Sequence, residues 1–177
     1  MFDYCTTDLV LTNERLEKGD AMNARGMKRL GLGLPNDPFP IKTSTFQIDI
    51  SYHGRILLMS RALGSAIKMP KANGSGCVIQ LVVGIVTTTT PFYVISTNPS
   101  TDIFAGSLGV NLDASTAETF MTVAGASATN TITNNGTTTG GATIGDTILL
   151  EDIQAGVWAV MGDIIGSGSI ATPFSRV

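Results

Sequence analysis

From Thr45 onward the chain reads with a period of two. Phe46, Ile48 and Ile50 alternate with Gln47, Asp49 and Ser51, so one face is apolar and the other polar, as in a half-buried antiparallel strand. Residues 55–61 (RILLMSR) predict a second short strand. Residues 66–70 predict a third, ended by Pro70 and the turn-rich Asn73-Gly74-Ser75-Gly76. The nearly continuous β-branched run at 77–86 (CVIQLVVGIV) predicts a strand buried on both faces. The same rhythm recurs at 92–96, 107–112, 118–123, 129–133, 146–151 and 157–161, with turn chemistry at 98–99, 134–136 and 139–141. About eight to ten short strands at roughly ten-residue spacing predict an all-β fold, an antiparallel β-sandwich or jelly roll. Its candidate core includes Ile79, Leu81, Val83, Trp158 and Val160.

Residues 1–45 follow no such period. The charged 13–18 stretch can start a short helix, and 21–30 (AMNARGMKRL) is basic with Met22, Met27 and Leu30 at irregular spacing. Gly19, Gly26, Gly31 and Gly33 interrupt both. Pro35, Pro38 and Pro40 then force extended backbone. The reading is an extended, loop-rich N-terminal arm over 1–45 followed by a sandwich over 46–177; the alternative is a first strand with long loops of the same domain.

Charge sharpens this division. Residues 72–175, a run of 104, contain no lysine or arginine but seven carboxylates, and ten of the eleven basic residues precede position 72. Exposed Lys and Arg ordinarily keep surfaces soluble and monomeric. A body whose surface is hydroxyl, amide and glycine suits a rigid β-structure partly covered by copies of itself or by a larger assembly. The acidic, polar start of the chain does not read as a signal peptide, and the apolar stretch at 9–11 is far short of a membrane span, so synthesis in the cytoplasm without membrane association is expected.

Candidate chemistry is sparse. His53 is the sole histidine, and before Gly54 it reads as a surface turn residue. Cys5 and Cys77 form no CxxC or Cys/His spacing. Gly31-Leu32-Gly33 lacks the rest of a phosphate loop. Asp102, Asp113, Glu118, Asp146, Glu151, Asp152 and Asp163 are spread singly and read as solvated loop charge, with a calcium site at Asp152 or Asp163 a minor option. Arg25, Lys28 and Arg29 lack interleaved aromatics, so nucleic-acid binding is not expected. Trp158 alternates with Val160 and reads as core, with a sugar-stacking platform as its other role. No catalytic residue, cofactor or metal is expected, and the chain does not read as an enzyme.

Two segments carry a resemblance. Residues 54–86 (GRILLMSRALGSAIKMPKANGSGCVIQLVVGIV) and 156–175 (GVWAVMGDIIGSGSIATPFS), about a third of the chain, resemble strand-and-turn patterns of small virion proteins of tailed bacteriophages. The resemblance implies a head decoration, or cement, protein of β-sandwich or jelly-roll type. Such a protein forms a homotrimer on the capsid exterior and ties neighbouring major capsid proteins together. The arm residues Arg15, Lys18, Arg25, Lys28, Arg29, Pro35, Pro38, Phe39 and Pro40 are then candidates for capsid contact. The other reading is a phage tail or fibre component that binds a host surface glycan.

Overall fold

The computed structural model describes residues 38–87, 92–98, 100–112, 118–123 and 129–176. The chain divides into two units, Met1–Asp37 and Pro38–Val177. Arg15, Lys18, Arg25, Lys28, Arg29 and Pro35 lie outside the described residues.

The second unit is built from twelve strands among the described residues: β1 (Phe39–Ile41), β2 (Thr45–Gln47), β3 (Arg55–Met59), β4 (Ser65–Lys68), β5 (Val78–Val83), β6 (Tyr93–Ser96), β7 (Ile103–Leu112), β8 (Glu118–Val123), β9 (Thr131–Asn134), β10 (Thr147–Gln154), β11 (Val157–Gly166) and β12 (Phe174–Ser175). They form two packed sheets, a β-sandwich. One has seven strands in the order β1-β3-β5-β10-β11-β7-β8, the other five in the order β12-β9-β6-β4-β2.

The sheets are mixed, not purely antiparallel. The first six strands alternate between the sheets, odd-numbered strands entering the seven-stranded sheet and even-numbered ones the five-stranded sheet. Each therefore lies parallel to the strand two places earlier: Phe39 opposite Leu57, Arg55 opposite Ile79, Thr45 opposite Ala66 and Ser65 opposite Tyr93. Parallel neighbours need a long crossover, and here each crossover contains a strand of the opposing sheet. The β10–β11 hairpin then fills the gap between β5 and β7, antiparallel to β5 and parallel to β7.

Alternation along these strands places one set of side chains between the sheets. Ile79, Leu81, Val83 and Trp158 are fully buried and Val160 nearly so, together with Leu57, Met59, Ile67, Ile95, Phe104, Ile132 and Ile148. Tyr93 is buried among them and keeps its hydroxyl satisfied against the carbonyl oxygens of Met59 (2.8 Å) and Arg61 (2.9 Å). The strand at 77–86 has one face in the core and the other only half-buried, because nothing described covers the outer face of the seven-stranded sheet.

Two boundaries differ from the periodicity. Phe39 and Pro40 belong to β1, inside the sandwich, so this sheet begins before residue 46. The strand expected through Ile50 stops at Gln47. The carboxylate of Asp49 accepts the Ser51 N–H at 2.8 Å and caps a 3₁₀ turn at Ile50–Tyr52, which leaves Ile48 buried and Ile50 exposed.

Candidate interaction surface

Among the described residues, no strand covers the outer face of the seven-stranded sheet. Strand registers align its outward side chains in rows. One row runs Ile56, Gln80, Leu149, Met161. The next runs Leu58, Val82, Thr147, Asp163, Gly109, Phe120. A third runs Val78, Glu151, Ala159, Ala105. The charges in these rows are the carboxylates of Glu151 and Asp163, and no cation stands among them. Met161 is 46% and Phe120 68% exposed. Seven strands about 4.8 Å apart and some six residues long give a face on the order of 700 Å², close to the roughly 800 Å² each partner gives to a stable interface.

At one side of the sandwich, Phe39 of β1, Phe46 of β2 and Tyr52 of the 3₁₀ turn close the gap between the two sheets. Their ring centroids lie 5.4 to 5.8 Å apart, and two of the three pairs are edge-to-face. Burial raises the Tyr52 phenol above its ordinary value, with the neighbouring Asp49 acting in the same direction. Nearby, Ile50, Pro70, Lys71, Asn73, Ser75, Asp152 and Trp158 line a shallow groove of about 340 Å³. The Trp158 indole N–H donates to the Pro70 carbonyl at 3.2 Å, so its polar edge is occupied and its ring is core.

Three carboxylates that read as solvated loop charge are buried and hold loops. Asp102 accepts the Ala72 N–H at 2.8 Å. One oxygen of Asp146 accepts the N–H groups of Gly141 and Ile165, both at 2.8 Å; burial nevertheless pushes its pKa up to about 6. Asp152 accepts the backbone N–H groups of Asn73, Gly74 and Ser75 and the Ser75 hydroxyl. Although burial opposes it, these donors hold the Asp152 carboxyl below its usual range. Both carboxylate oxygens are thereby engaged by the 73–75 turn, which gives Asp152 a structural role. Asp113 lies outside the described residues, and no group of three or more His, Cys, Asp or Glu side chains suited to a metal ion occurs among the described residues.

His53 Nδ1 accepts the Val78 N–H at 3.0 Å, tying its turn to the start of β5. Cys77 is buried, and burial raises its thiol pKa. Pro38 and Pro40 are exposed at the β1 edge. The outer face is not singled out by the sequence, whose signal for it is the Lys/Arg-free run; Asp102, Asp146 and Asp152 are, but as solvated charge, although the Asn-Gly-Ser-Gly turn is the partner that buries Asp152. Comparison with known protein families, curated proteins and solved structures finds no match for this chain.

Proposed function

We propose that this chain is a structural virion protein, a decoration or cement protein that self-associates on a capsid exterior and stabilises the shell lattice. The observation that carries the reading is the open, cation-free outer face of the seven-stranded sheet, bearing Ile56, Leu58, Val82, Leu149, Met161 and Phe120. Half-buried and exposed apolar side chains gathered on one sheet face, though interrupted by Gln80, Thr147, Asp163 and Glu151, support a protein-binding surface. Rigidity fits the same role, because buried aspartates fasten the crossover loops to the strands. Binding only the assembled lattice would stabilise it by mass action, and several contacts per oligomer would raise effective concentration. The resemblance to phage head proteins supplies the capsid as partner and the trimer as oligomer.

The test is the copy number of this chain relative to the major shell protein in purified particles, by quantitative mass spectrometry. A ratio near one, or a simple lattice fraction of it, is expected. A handful of copies per particle would favour the tail or fibre reading, for which the Phe39–Phe46–Tyr52 cluster is the candidate glycan platform. Absence from particles would overturn both.

A further inference from the structure

We propose that β8 is a self-association edge, pairing antiparallel with β8 of a second copy about a twofold axis. The inference rests on the self-association in the reading above but departs from it in symmetry, with a twofold β8 contact in place of the trimer that the resemblance implies. An open sheet edge presents unpaired N–H and C=O groups, and proteins blunt such edges with short strands or proline. Among the described strands, β8 is the exception. At the opposite edge of its sheet, β1 has three residues, and its central Pro40 has no N–H to give. The edges of the other sheet, β2 and β12, have three and two residues. β8 has six, no proline and no lysine or arginine.

The short edges also select the occupant. Pairing β8 with β1, β2 or β12 of another copy would align three residues at most, whereas β8 against β8 about an axis at residue 120 aligns five, 118–122. Such a contact is isologous and closes as a dimer. Directly opposed residues in an antiparallel pair share a face, so a twofold register must match residues of the same parity. Register with Phe120 opposite Phe120 of the second copy meets that condition. It converts the most exposed large apolar side chain of the described residues into a cross-strand aromatic pair. Met121, packed against the core, would stay there, and the two seven-stranded sheets would join into one continuous outer face.

The experiment is sedimentation equilibrium of the full chain, alongside Phe120→Lys, Phe120→Thr and Ile144→Lys, with folding checked by circular dichroism. The wild type is expected at twice 18.5 kDa. Phe120→Lys opposes like charges across the axis and should weaken the dimer at least about 30-fold. Phe120→Thr, which keeps β-propensity, should weaken it less. Ile144→Lys, at a side chain as exposed as Phe120 but in the loop before β10, should leave it intact. Hydrogen exchange of β8 amides should slow as concentration rises. A monomeric wild type, β8 exchange independent of concentration, or an oligomer indifferent to Phe120→Lys would overturn the proposal. A trimer untouched by Phe120→Lys would do so while leaving the decoration reading standing, as would a monomer found at lattice stoichiometry on particles.

Discussion

Ser75 donates both its backbone N–H (3.0 Å) and its hydroxyl (2.6 Å) to a single oxygen of Asp152, a residue of β10. With the N–H groups of Asn73 and Gly74 also turned onto this carboxylate, the crossover from β4 to β5 is folded around a buried negative charge. The strand continues the fastening through its backbone: Gly76 N–H donates to the Asp152 carbonyl, and Asp152 N–H to that of Cys77. An anion held by convergent backbone donors and a hydroxyl is favoured in its charged form.

Asp152→Ala should therefore lower stability by about 2 to 3 kcal/mol, because it orphans donors in a part-buried loop. Asp152→Asn should cost less, since its amide oxygen still accepts. The pH dependence has a definite sign. The folded pKa of Asp152 lies below its unfolded value, so its contribution is present above the ordinary carboxylate range and lost as pH falls through the folded pKa. Urea titrations between pH 7 and pH 2 should show wild type and Asp152→Asn converging in acid. Parallel curves would show that the charge contributes nothing.

Asp146 has the opposite sign. Its folded pKa of about 6 exceeds the 3.8 of the unfolded chain, so the folded state holds the proton more tightly. Its contribution is fully present below the unfolded value and is lost as pH rises through about 6. Relative to Asp146→Asn, the wild type should lose stability between these two values, by up to about 1.4 kcal/mol per pH unit. The same urea series measures it, and a wild type that gains on the variant over that interval would refute the assignment.

Two glycines separate backbone conformation from crowding. Gly54 has φ +70° with open space where a side chain would stand, whereas at Gly136, φ +73°, a Cβ would sit 1.6 Å from the Thr87 carbonyl oxygen. Gly54→Ala should cost only the left-handed penalty, about 1 to 2 kcal/mol. Gly136→Ala must also push two backbone segments apart and should cost clearly more. Thermal denaturation of the pair decides it, and equal shifts in Tm would mean the 135–141 loop yields freely.

How far these features can be read from the chain follows from their range. Trp158 and Val160 announce their burial by alternation, because a strand with one covered face needs nothing beyond its neighbours in sequence. Ile50 misleads for a local reason: it continues the apolar period, but the Asp49 cap two residues from Ser51 diverts the backbone first. The parallel pairing of β3 with β5 leaves no mark in either strand, since the crossover that permits it runs through the opposite sheet. Asp152 looked like solvated charge because its partners at 73–75 come from a distant turn. The open outer face was legible only as a missing residue type, and its extent required the registers.

The aromatic trio tests how the sandwich is closed along one side. Phe39 and Phe46 belong to different sheets, 5.8 Å apart between ring centroids, and Tyr52 meets both edge-to-face. Phe46 packs against the core, whereas Phe39 is 37% exposed. Phe46→Ala should therefore cost about 2 to 4 kcal/mol and Phe39→Ala about half that, each by lost burial. If the rings act as a clasp between the sheets, the double variant should cost less than the sum of the two. Contact between aromatic pairs predicts a coupling of about 0.5 to 1.5 kcal/mol. Chemical denaturation of the four proteins measures it directly. Additive losses would mean that each ring merely covers its own sheet.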